Sequence, residues 1–148
     1  MRNRLPLTLA LIVLGSANAA EIRAQKVVLE IKAAHPEITG LELAATRSEQ
    51  GGCKTIAATE VKEIGEKCDE DEFTAMKTNQ PFVEKENDEF DATLPIHDAA
   101  GKIIGTVGMD FKAGPGQTRE TVTRQAKQIA TELEERITAK EQLFDVAK

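Results

Sequence analysis

The chain has 148 residues, 41% of them apolar, with 19 Lys and Arg against 25 Asp and Glu for a net charge of −6. That length holds one domain with a modest core, and the acidic balance argues against a nucleic-acid or anionic-membrane surface, which needs a basic patch. With no Trp, no Tyr and five Phe, the core must come from Ile, Val, Leu and Ala, which argues against a broad aromatic sugar-binding platform.

At the N-terminus, Arg2 and Arg4 precede the apolar run "LPLTLALIVLG" and the small-residue stretch "SANAA", the pattern of a secretory signal peptide cut near Ala19. The run is well short of the roughly 20 residues a spanning helix needs. Residues 1–19 are therefore expected to leave, and 20–148 to form a single soluble domain, periplasmic or secreted. Losing Arg2 and Arg4 takes the net charge to −8. Cys53 and Cys68 are the only cysteines, and export places them where disulfides persist. No CxxC or CxxCH is present to support a redox or haem pair. A Cys53–Cys68 bridge is expected instead, closing a loop of about 15 residues and stabilising by roughly 3 kcal/mol.

Ile22, Ala24, Val28 and Ile31 recur at helical spacing, and His35-Pro36 ends that pattern, which predicts a helix over 21–34. "ITGLELAAT" (38–46) alternates as a strand, "RSEQGG" turns, and "CKTIAAT" is a second short strand. From Glu60 to Lys77 the text is helical and charged, broken at Gly65, with "DEDE" suiting a helix start through the dipole; two short helices are expected. "PFVEKE", "EFDATLPIHD" and "KIIGTVGMDF" read as three further strands. After the linker "AGPGQT", one long helix is expected over 118–147, with Val122, Ala126, Ile129, Leu133 and Ile137 on one stripe and Leu143 and Phe144 standing apart. Helix, two strands, short helices, three strands and a long helix predict an α+β fold, helices against a five-stranded antiparallel sheet.

A GxSxG elbow, a Walker A loop, HExxH, an EF-hand loop and GxGxxG are all absent, so no enzyme activity, cofactor or metal is expected. His35 reads as a helix-end residue and His97 as a turn residue. Gly105 and Gly108 weaken the last strand, marking a place where a ligand or a packed helix approaches the backbone.

The ordered series "EIG" after a short strand, "QPFVEK", the Pro-Ile before an Asp-x-x-Gly turn, and "IIGTVGMDF" resembles the extracytoplasmic sensor domains of the Cache and PAS-like superfamily. The resemblance covers roughly residues 54–111. It implies a PAS-like five-stranded sheet with a long N-terminal helix on one face and a small-molecule pocket on the other, roofed by 59–78 and held by the Cys53–Cys68 bridge. Citrate-type members carry basic anchors where this chain has Thr55 and Ala58, then Asp91 and Thr93, so a polyanion lacks its partners. Amino-acid-binding members use an aromatic-x-Asp on the middle strand and an Asp ending the last; Phe82, Glu84 and Asp110 match that order, with Glu for Asp and Phe for Tyr. The Arg and Trp that hold an amino acid's carboxylate are not recognisable.

The resemblance thus implies an amine-bearing or cationic small metabolite as ligand, with Asp110, Glu84, Phe82, Thr93, Asp91 and Thr55 as the candidate site. It also implies a membrane receptor or kinase as partner, while the four-three stripe of the C-terminal helix suits pairing with a second copy, as a homodimer, or with a receptor helix. A ligand-free structural or dimerisation module that keeps the fold is the alternative.

Overall fold

Period-two alternation in five segments sorts their side chains onto two faces of one antiparallel sheet. The structure, a computed structural model, describes residues 20–148; the signal peptide expected over 1–19 lies outside the described residues. The order is helix α1 (Arg23–Ala34), strands β1 (Ile38–Thr46) and β2 (Cys53–Ala58), a 3-10 turn (Val61–Glu63) and helix α2 (Glu70–Thr78). Strands β3 (Phe82–Glu86), β4 (Glu89–His97) and β5 (Ile103–Lys112), helix α3 (Arg119–Arg136) and a 3-10 turn (Lys140–Leu143) follow. The sheet runs β2-β1-β5-β4-β3. Among the described residues no helix is long and apolar enough to cross a membrane.

One sheet face is apolar. Leu41 and Leu43, Phe90, Ala92, Leu94 and Ile96, and Val107, Met109 and Phe111 are all buried there. α1 covers this face with Ala24, Val28 and Ile31, and α3 with Val122, Ala126, Ile129 and Leu133. Gln25 fastens α1 to β2: its Nε2 donates to Ala58 O and its Oε1 accepts from Ala58 N–H, each at 2.9 Å. Pro95 is tolerated inside β4 because β3 pairs only as far as Thr93, so Pro95 stands where β4 is itself an edge and no ladder donor is lost. β3 leaves Glu84, Lys85 and Glu86 exposed on the outer edge.

The long helix expected over 118–147 ends at Arg136. Ile137 turns extended and is fully buried, and Thr138 O accepts from Ala99 N–H at 2.9 Å, which removes the chain from the helix path. Leu143, expected to stand apart, is also fully buried, and half-buried Phe144 lies under the Arg47 guanidinium at 5.0 Å. The residues beyond Ile137 therefore complete this chain's own core. α1 begins two residues later than expected and spans 12 residues, fewer than the 18 of α3. Ile22 instead bridges Val146, with Arg23 N–H donating to Asp145 O and Ala147 N–H to Glu21 O.

Gly105 is a close-approach position: a Cβ there would stand 2.3 Å from the Ala44 carbonyl oxygen, which belongs to the backbone and cannot swing away. Gly105→Ala is expected to cost about 1–3 kcal/mol. Urea unfolding measures it, with Gly108→Ala, which meets the Glu42 side chain (Oε1 at 2.9 Å, Cγ at 3.0 Å) and no backbone atom so near, expected to cost less.

Candidate functional site

The other sheet face is polar and lies under the 59–78 segment. Strand register aligns Gly40, Asp110, Asp91 and Glu84 in one row across β1, β5, β4 and β3. The next row holds Ala58, Glu42, Gly108, Thr93 and Phe82, and a third Thr55, Ala44, Thr106 and Pro95. All six residues singled out from sequence thus share one face. α2 packs on this face over β3, β4 and β5, started by a capping box between Asp69 and Glu72. The expected Cys53–Cys68 disulfide is formed. Beside it, Thr55 N–H donates to Glu66 O at 2.9 Å, Gly65 N–H to Thr55 O at 2.8 Å, and Cys68 N–H to Cys53 O at 3.1 Å. The roof is thereby laced to the outer edge of β2.

Between roof and sheet lies a cleft of about 390 Å³. Seven carboxylates line it, those of Glu42, Glu60, Glu63, Glu66, Glu89, Asp91 and Asp110, with no Lys, Arg or His. None of the seven is in an ion pair among the described residues. Two glycines make room for them. A Cβ on Gly40 would stand 2.6 Å from Asp110 Oδ2, and one on Gly108 2.9 Å from Glu42 Oε1, so each carboxylate lies across a bare Cα of the neighbouring strand. The glycines read from sequence as room for a ligand or a helix are filled by the Ala44 carbonyl at Gly105 and by Glu42 at Gly108.

Crowding of like charge away from water sets the protonation state. Burial, then the charges of Glu63, Glu72, Asp110 and Asp91, pushes the Glu42 carboxyl up to about 7. Burial and then Asp110 push Asp91 up to about 7. Asp110 is raised by burial and by Glu89, and Glu63 by burial and by Asp110. Such a group of acids either keeps protons or takes a cation. Among the described residues no group of three or more His, Cys, Asp and Glu is set to hold a metal ion.

The structure brings Asp110 and Asp91 together in the cleft. Asp91, a candidate from sequence at a position where a basic anchor is lacking, is the acid directly beside Asp110. Glu84 ends the same row but is exposed, and half-buried Phe82 sits beside Thr93; neither lines the cleft. Thr93 and Thr55 are buried on the face, as is Thr106, whose Oγ1 has no hydrogen-bond partner. Sequence reading missed Glu42, Glu89 and the roof acids Glu60, Glu63 and Glu66. The signal for Glu42 was present: it is the one charge in "LELAAT", on the face opposite Leu41 and Leu43.

No family profile matches the chain, and no curated protein matches it in sequence. Its fold is similar to that of solved structures. The Agobacterium tumefaciens repressor BlcR aligns at 8% identity with a TM-score of 0.50, covering 80% of this chain and 68% of that one. The type II free methionine-R-sulfoxide reductase from Thermoplasma acidophilum aligns at 19% identity with a TM-score of 0.50, covering 82% and 92%. At these identities the likeness is one of fold.

Proposed function

We propose that this protein is an exported, PAS-like small-molecule-binding domain of the Cache type. It captures an amine-bearing or cationic metabolite in the carboxylate cleft and presents the bound form to a membrane receptor or kinase. The observation that carries this reading is a cleft of about 390 Å³ lined by seven carboxylates and no basic side chain, none of the seven in an ion pair among the described residues. The volume suits a small metabolite, and an ammonium group would supply the charge that the half-buried acids lack. The disulfide agrees with an oxidising compartment. Function is read as binding, with Asp110, Asp91 and Glu42 as the contacts; Thr93 and Thr55 are buried on the same sheet face but do not line the cleft.

Isothermal titration at pH 8 with putrescine, spermidine, citrate and fumarate tests it. Binding of the amines and not of the acids is expected, with Asp110→Asn weakening it at least tenfold. A ligand at 100 times its Kd should also raise stability by about 2.7 kcal/mol. Binding only to the dicarboxylates, unchanged in Asp110→Ala, would sink the reading.

The alternative, a ligand-free structural or dimerisation module, is favoured by one observation: Ala75 of α2 is fully buried, so the roof rests on the inner sheet. No response to any ligand together with a dimer in sedimentation would select it.

A further inference from the structure

His35 follows the last residue of α1 and is held at both ring nitrogens. Nδ1 lies 2.8 Å from Glu37 Oε1, and Nε2 lies 2.6 Å from Glu132 Oε2 of α3. A neutral imidazole offers one N–H and one lone pair, whereas a carboxylate can only accept. Only the imidazolium donates to both. His97 makes the contrast, because its Nε2 faces Asn79 Oδ1 at 2.6 Å and its Nδ1 faces Glu134 Oε1 at 3.2 Å. An amide turned over presents NH2 in place of its oxygen, so a neutral ring keeps both bonds there.

We propose that His35 is a pH-operated latch between α1 and α3, closed by two charge-assisted hydrogen bonds as the imidazolium and one bond short as the neutral ring. The other charged groups at this contact are carboxylate, lysine and arginine side chains, types whose ordinary pKa values lie outside the neutral range. Glu30 of α1 pairs with Arg136 of α3, Arg23 donates to Arg136 O, and Lys32, one turn back in α1, faces Glu37. His35 is thus the group here that titrates. Burial opposes its charge, but the hydrogen bonds and charges of Glu132 and Glu37 outweigh burial and raise its pKa above the ordinary value, while Glu37 is lowered in turn. Falling pH closes the latch. The same fall neutralises Glu42 and Asp91 on the opposite sheet face, so acid tightens the helical layer as it discharges the cleft. The latch does not depend on what the cleft binds.

Titration of both histidine rings by NMR, with amide hydrogen exchange at pH 6 and pH 8.5, tests the proposal on the wild type, Glu132→Gln and His35→Gln. The His35 ring should titrate above about 6.5 and move down in Glu132→Gln. After correction for intrinsic rates, amides at the end of α1 and around Glu132 should exchange several-fold more slowly at pH 6, and His35→Gln should lose that difference. A His35 midpoint indifferent to Glu132→Gln, or a pH difference that survives in His35→Gln, overturns the latch.

Discussion

Replacing Glu42 with Gln and Asp91 with Asn is expected to stabilise the protein at pH 8 while weakening the cation binding proposed for the cleft. Both carboxyls are pushed up to about 7 in the fold, whereas in the unfolded chain they ionise near 4. The folded state therefore binds more protons between these values. The penalty is absent below about 4, grows as pH rises and is complete above about 7. Each carboxyl should cost roughly 1–3 kcal/mol at pH 8, less than the full shift implies, because the acids of one cleft relieve one another when any is removed. Urea unfolding should show the wild type losing stability from pH 5 to pH 8, with most of that slope gone in the double variant. His35, whose raised pKa stabilises in acid and is lost as pH rises through it, and Glu72, pushed up to about 7 by burial and by its hydrogen bond with Asp69, leave a smaller slope of the same sign. A double variant less stable than wild type at pH 8 would show that something already compensates these acids. Stability gained by removing charge and binding lost by the same change together mark a site kept under electrostatic strain for a partner.

Removing the disulfide by the paired change Cys53→Ser and Cys68→Ser should cost roughly 3 kcal/mol, the chain-entropy figure for a loop of this size. The loss should begin in the roof. Residues 59–78 rest on the sheet through a 3-10 turn and one nine-residue helix, while the opposite face is sealed by two helices on a continuous apolar layer. Amide exchange is expected to rise first over 59–78, and cation affinity to fall with it, with α1 and α3 still protected. Equal loss of protection on both faces would show the bridge acting on the fold as a whole.

The strands were legible almost to the residue because Leu41, Leu43 and Ala45, and Val107, Met109 and Phe111, each stand one residue apart on a buried face. Alternation is local, and a one-residue slip would expose the whole set. The end of α3 was not legible. "ITAKEQLFDV" keeps apolar residues at spacings a helix tolerates, and the break is made by tertiary contacts, the burial of Ile137 and Leu143 and the Thr138 carbonyl bonded to Ala99. The site was legible in part. Asp110 and Asp91 could be placed from strand position, but Glu60, Glu63 and Glu66 lie in a stretch whose acids look like solvated helix surface. Only the folded path of the disulfide loop brings them over Glu42.

The lacing of Gly65–Cys68 along β2 and the exposed Glu84, Lys85 and Glu86 on β3 have a further effect on how the molecule behaves in company. An open sheet invites strand addition by another chain, the first step toward fibres and swapped dimers. Here one border is already occupied by the roof and the other is fringed with charge. Edge-to-edge aggregation is closed off at both ends, and any second molecule is directed to the helical or roof surfaces instead.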